Sequence, residues 1–214
     1  MGGKYQLLAY RALLGSLAKT SSRFVLDRDT AVSPQVLSCL DNDERVVAYL
    51  AKQGLGGQSL SAISGALIGD LKSLVKSSHS GGTPFALLGV DADGTLRKGQ
   101  EAAALGVSLD FYAKLSTSDP LYSSLSHIEG RFRLIRAAAR QANVLILSKG
   151  SIEAYYASPP SQSASDFDKQ QALQAELDAI WNCKDLTLLR ARYEEQLEYI
   201  EAAGFLSVPL SDMA

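Results

Sequence analysis

The feature that most constrains the fold is a run of four aliphatic residues, Val144 to Leu147, within the sequence NVLILSK. A short apolar run bounded by polar residues is typical of a strand buried on both faces of a sheet. Two other segments have strand length, RFVLD at 23–27 and FALLGV at 85–90. Because helical patterns separate these segments, we predict an α/β fold of three layers, with a mostly parallel sheet flanked by helices.

The predicted helices are segments in which apolar residues recur at helical spacing. They cover residues 4–19, 42–53, 58–77, 98–105, 128–141, 166–183 and 185–203. The last two are expected to form a C-terminal helical hairpin, followed by a short strand at 205–210. We therefore predict an α/β domain at 1–160 and a helical extension at 161–214.

Composition narrows the classes of function. The 214 residues carry a net charge of −2, so a nucleic-acid partner has to be met by a local basic patch or through metal ions. Two cysteines and two histidines are too few for a disulfide framework or a His/Cys metal centre. With no apolar run of membrane-spanning length and no signal-peptide pattern, we expect a cytoplasmic protein without a membrane partner.

Polar side chains follow each of the three predicted strands. They are Asp27 and Asp29, then Asp91 and Asp93, and finally Ser148, Lys149 and Glu153. Ligands bind at the carboxyl ends of strands in open α/β sheets. Carboxylates two positions apart face the same way when the backbone is extended, and their oxygens suit Mg²⁺. Each Asp-x-Asp pair is thus either half of a metal site or an ordinary polar strand end.

Three blocks in sequence order carry a family resemblance. GGKYQLLAYRALL begins at Gly2, FVLDRDT at Phe24 and LSKGSIEAYY at Leu147. All three resemble parts of the Toprim domain in the OLD family of ATP-dependent endonucleases. The first block resembles the family's glycine–lysine turn and the helix after it, and the second resembles the strand that bears the Asp-x-Asp pair. The third resembles the last strand of the domain and the turn that follows it. The resemblance covers about residues 2–160. The two C-terminal helices lie outside it and would be an extension of the Toprim-like domain.

The resemblance implies a metal-dependent DNA endonuclease of the nickase type. It makes Asp27, Asp29 and Glu153 ligands of Mg²⁺ or Mn²⁺, and Lys149 and Glu153 the catalytic residues. Lys149 would stabilise charge on the scissile phosphate, and Glu153 would join a second metal or orient its segment. The reaction implied is hydrolysis of a phosphodiester bond by water.

One part of the family pattern is missing. A Toprim domain begins with a strand that carries a Glu-x-Gly motif, and no such motif precedes Gly2; the sequence also lacks a G-x-x-x-x-G-K-[ST] phosphate loop. We therefore expect a fragment of a larger nuclease with an incomplete site. An ATPase domain or a partner chain would supply the missing glutamate, and a homodimer is the other candidate assembly.

Two other functions remain open. DADGTL, beginning at Asp91, is similar to the first motif of haloacid-dehalogenase-like phosphatases, in which Asp91 would attack phosphate, Asp93 would act as acid and base, and Ser148 would serve in the second motif. The other is a non-catalytic interaction module that docks through the helices at 166–203. A basic stretch at 131–140 is interpreted as a solvated helix face, or as a contact for a phosphate backbone.

Overall fold

A computed structural model describes residues 23–79, 83–156, 158–161 and 164–185, together with residues 187, 188 and 191. The predicted helix at 4–19 and the predicted strand at 205–210 lie outside these residues. So does the predicted helix at 185–203, apart from a few positions at its start.

Six α-helices and two strands form the described fold, which is mixed α/β and mostly helical. In chain order they are β1 (Phe24–Leu26), α1 (Pro34–Leu37), α2 (Glu44–Lys52), α3 (Leu60–Ser78), α4 (Glu101–Tyr112), α5 (Tyr122–Gln141), β2 (Val144–Ile146) and α6 (Asp166–Asn182). Four short 3-10 helices lie at Arg28–Val32, Ser38–Leu40, Pro84–Leu87 and Ile152–Tyr155.

The two strands form a parallel pair in which Phe24 lies opposite Val144 and Leu26 opposite Ile146. The ladder continues past β2, because the Leu147 N–H donates to the Leu26 carbonyl oxygen at 2.9 Å. The predictions of an α/β class and of a parallel strand pair are confirmed, with β2 buried and β1 half-buried. Since parallel strands point the same way, the segments that follow β1 and β2 emerge at one edge of the sheet.

Capping residues explain where the helices begin, and apolar residues at helical spacing explain which side of each helix is buried. The Asp43 carboxylate accepts the Arg45 N–H at 3.1 Å at the start of α2, and the Ser59 hydroxyl accepts the Ala62 N–H at 3.1 Å at the start of α3. Helix α3 lies at the centre and packs against α1, α4 and α5. Its buried stripe is Leu60, Ile63, Leu67, Leu71, Leu74 and Val75.

The predicted strand at 85–90 is wrong. Pro84–Leu87 is a 3-10 helix, and Val90 forms only an isolated antiparallel bridge with Leu96. Pro84 at the first helical position has the fixed φ that a helical turn needs. Phe85 is fully buried and Leu88 nearly so, while Leu87 between them is 93% exposed. The apolar run therefore follows the period of a 3-10 helix rather than that of a strand.

The basic stretch of α5 does not form one solvated face. Arg136 Nε donates to the Ile146 carbonyl oxygen at 2.8 Å, and its guanidinium lies 5.5 Å from the centroid of the Phe132 ring. Arg136 therefore anchors α5 to β2. Arg133 remains on the surface and pairs with Glu129 at 2.7 Å.

No helix within the described part of the chain combines the length and the apolar character that crossing a membrane requires.

Candidate functional site

The backbone after β1 is tied to the backbone after β2. The Arg28 N–H donates to the Gly150 carbonyl oxygen at 2.8 Å, and Arg28 Nη1 donates to the Ser148 carbonyl oxygen at 3.2 Å. Gly150 has φ +124°, a conformation that residues with a side chain rarely adopt. The turn Ser148–Gly150 is thus fixed at the carboxyl edge of the sheet, where ligands bind in open α/β folds.

A cavity of about 550 Å³ opens beside this turn, and we call it the strand-edge cavity. Its ionisable lining consists of three cations and two carboxylates: Arg28, Lys149 and Lys169, with Asp110 and Glu153. The remaining lining residues are small or uncharged. Three cationic side chains around one opening favour a ligand with negative charge, and the two carboxylates limit how much positive charge they present.

Arg28 is held at the cavity by burial and by α4. Burial lowers the pKa of the Arg28 guanidinium from its ordinary value, and the nearby charge of Asp110 partly offsets this effect. An arginine remains charged in spite of such a shift. At Gly106 of α4 a β-carbon would collide with Arg28 Nη2, so the guanidinium lies where only glycine leaves room.

The structure separates the four predicted site residues. Lys149 and Glu153 both line the strand-edge cavity. Asp29 lines a different cavity, together with Lys98 and Glu101. Asp27 is exposed and lines neither of the two. The reason is local: β1 ends at Leu26 and a 3-10 helix begins at Arg28, so the backbone is no longer extended where the two aspartates were expected to face the same way.

A divalent metal ion in a protein needs several carboxylate oxygens close together. Within the described ranges no group of three or more His, Cys, Asp or Glu side chains is arranged to hold one. Asp27, Asp29 and Glu153 stay a predicted ligand set for Mg²⁺ or Mn²⁺.

Asp91 and Asp93 lie in a tight hairpin turn. The Asp91 N–H donates to the Thr95 carbonyl oxygen at 2.8 Å, and Gly94 takes the positive φ of +79° that the turn requires. The Asp93 carboxylate accepts the Thr95 N–H at 3.0 Å and the Thr95 hydroxyl at 2.7 Å. These hydrogen bonds lower the pKa of Asp93. The strand that would carry these aspartates to a sheet edge is not formed.

Five residues of the site were not singled out from the sequence. They are Arg28, Gly106, Asp110, Tyr155 and Lys169. The predicted helix at 98–105 stopped before two of them, because Gly106 interrupts the helical pattern, whereas α4 continues to Tyr112. One signal was available: Arg28 is a cation between two strand-end aspartates, and its side chain rather than theirs enters the strand-edge cavity.

Comparison with known proteins found no relative: no protein-family model, no curated protein and no solved structure matches the chain.

Proposed function

We propose that the strand-edge cavity binds the phosphodiester backbone of DNA, and that the chain is part of a Toprim-type endonuclease with a three-layer α/β fold. One observation carries the proposal: Lys149 and Glu153, to which the family resemblance gives catalytic roles, line one cavity with Arg28 at the carboxyl edge of a parallel strand pair. The resemblance itself rests on short sequence blocks, and the shared cavity is an independent reason to group these residues.

The cationic side chains would act on the charge of the phosphate. Arg28 offers a planar fork of N–H donors that matches two phosphate oxygens, whereas Lys149 and Lys169 offer point charges. In a partly enclosed cavity these charges stabilise an anion more strongly than they do in open water. As charge builds on the phosphate during cleavage, Lys149 would lower its energy, and Glu153 beside it would orient the approaching group.

Cleavage is proposed for the assembled nuclease rather than for the described residues alone. The predicted ligands Asp27, Asp29 and Glu153 do not form a metal group among those residues. A Glu-x-Gly strand from an ATPase domain or a partner chain would complete the site. Mg²⁺ or Mn²⁺ remains the cofactor of this proposal.

Binding and cleavage are tested separately. Affinity for a DNA duplex is measured against salt concentration for the wild type, Lys149→Met and the matched control Lys114→Met, which removes an exposed lysine. Each lost phosphate contact should lower the salt dependence, d log K/d log[salt], by about 1 for Lys149→Met and not at all for Lys114→Met. Equal slopes in all three proteins would reject the cavity as a phosphate site.

Cleavage is followed as nicking of supercoiled plasmid DNA with Mg²⁺ or Mn²⁺, with Asp29→Ala as the control. Metal-dependent nicking that Asp29→Ala abolishes would establish both the activity and the predicted ligand. Intact plasmid after incubation of the chain with either metal ion would reject an endonuclease activity of the chain alone.

A non-catalytic interaction module is the second candidate, because α6 exposes large apolar side chains. Phe167 is 65% exposed and Trp181 is 90% exposed. Exposed aromatic residues are more frequent at protein interfaces than elsewhere on a surface. Light scattering on the purified chain tests whether a homodimer forms, and Trp181→Ser should then shift it to the monomer.

A further inference from the structure

The turn Ser148–Gly150 is held from two sides. On one side the Tyr155 hydroxyl oxygen accepts the N–H of Ser148 at 3.1 Å and the N–H of Lys149 at 2.9 Å. On the other side Arg28 donates to the carbonyl oxygens of Ser148 and Gly150. Four polar backbone groups of an irregular segment thus have partners within the protein, which fixes the direction in which the Lys149 side chain leaves the backbone.

The Lys149 side chain also lies on Tyr155. Its ammonium nitrogen is 5.5 Å from the centroid of the Tyr155 ring, within the range of a cation–π contact. A lysine side chain in solution samples many rotamers, and this contact restricts them. Tyr155 therefore acts on Lys149 twice, through the backbone amide and through the ring.

We infer that Tyr155 is a positioning residue, which holds the ammonium group of Lys149 at the mouth of the strand-edge cavity so that it meets a bound phosphate. The phosphate part of this inference rests on the proposed function. Tyr155 itself is fully buried, and it does not line the cavity. A buried tyrosine hydroxyl needs polar partners. The backbone N–H groups of Ser148 and of Lys149, the predicted catalytic lysine, are two of the partners of Tyr155.

The first test needs no DNA. The lysines of the 214-residue chain are dimethylated with isotope-labelled formaldehyde, and the Lys149 signal is assigned with Lys149→Arg. In the wild type the Tyr155 ring should shift this signal away from that of the exposed Lys114. In Tyr155→Phe both amides lose their acceptor, so the turn moves and the Lys149 signal should approach that of Lys114. Tyr122→Phe is the matched control, since Tyr122 accepts a hydrogen bond from the Tyr112 hydroxyl at 3.3 Å, remote from the turn in sequence.

An unchanged Lys149 signal in folded Tyr155→Phe would overturn the inference. If that variant does not fold, hydrogen exchange in the wild type decides. The amide protons of Ser148 and Lys149 should exchange slowly, although Lys149 is an exposed residue. Exchange as fast as in an unprotected loop would overturn the inference as well.

The second test uses DNA binding. Tyr155→Phe and Lys149→Met should each reduce the salt dependence by about 1, and the double variant should reduce it no further than Lys149→Met alone. If Tyr155→Phe only lowered the stability of the fold, the molecules that stay folded would bind DNA with the salt dependence of the wild type. That result would count against positioning. If the wild type binds no DNA, the proposed function fails, while the lysine signals still decide the role of Tyr155.

Discussion

Gly106→Ala in α4 tests the placement of Arg28 without altering a charged residue. A β-carbon there would collide with Arg28 Nη2 and would lie 3.3 Å from Arg28 Cζ. The three nearest atoms all belong to the end of that one flexible side chain. We therefore expect the guanidinium to move away from the helix, while the helix backbone stays in place.

Two opposing contributions set the change in the free energy of unfolding. Alanine in a helix interior stabilises by about 1 kcal/mol relative to glycine. Moving Arg28 breaks its 3.2 Å hydrogen bond to the Ser148 carbonyl oxygen. A hydrogen bond from a charged group contributes about 1.5–3 kcal/mol, and less where solvent screens a partly exposed side chain. Gly106→Ala should thus stay within about 1 kcal/mol of the wild type, while losing affinity for anions at the strand-edge cavity.

The assay is urea unfolding followed by circular dichroism, in the wild type and in Arg28→Met. Without the guanidinium, the new methyl group meets no collision, so Gly106→Ala should stabilise Arg28→Met by the full helix contribution of about 1 kcal/mol. Gly130→Ala in α5 is the matched control, because a β-carbon there has no described neighbour within 4 Å. It should stabilise both backgrounds equally. If Gly106→Ala also acted equally in both backgrounds, Arg28 would not lie against α4.

Three further predictions concern smaller features. Thr95→Val removes the hydroxyl donor to Asp93 and keeps the backbone N–H donor, so the pKa of Asp93 should rise part of the way toward its ordinary value in a carboxyl NMR titration. Because the fold depresses this pKa, the associated stability is present above the unfolded-state pKa and is lost as pH falls through the folded-state pKa. An unchanged titration would contradict the turn. Arg136→Met removes the donor to the Ile146 carbonyl oxygen and should lower the unfolding free energy by about 1–3 kcal/mol in urea; no loss would mean that water replaces it. Ser165→Ala removes the N-cap of α6 and should cost about 1 kcal/mol, seen as faster amide exchange in its first turn rather than in α3.

Local patterns were sufficient for the strand pair and for most helices. The Val144–Leu147 run lies in a buried strand, and the capped segments at α2 and α3 begin within two residues of the predicted positions. The run at 85–90 failed because an apolar stretch of that length fits a strand and a 3-10 helix equally. Only tertiary packing decided which of its residues became buried.

The site was harder to predict than the fold. Lys149 and Glu153 share a cavity, but the aspartate pair was assigned on the assumption that the backbone stays extended past the strand end, as far as Asp29. A 3-10 helix begins at Arg28 instead, and Arg28 rather than either aspartate lines the strand-edge cavity. Asp110 and Lys169 lie on helices. A helical sequence pattern indicates which face of the helix is polar, but it does not predict which other segment lies next to that face, so their place in the cavity could not be predicted.

The pairing of Arg28 with the turn after β2 has a consequence for the order of folding. The hydrogen bond between Arg28 and Ser148 joins residues 120 positions apart. Closing so long a stretch costs conformational entropy before any contact is gained, so such pairings form late. On a ribosome, α1 to α5 are synthesised before Lys149 emerges, and until then Arg28 has no cavity to line. A ligand of the strand-edge cavity would thus bind only the completely folded chain, and by mass action it would stabilise the whole molecule rather than one loop.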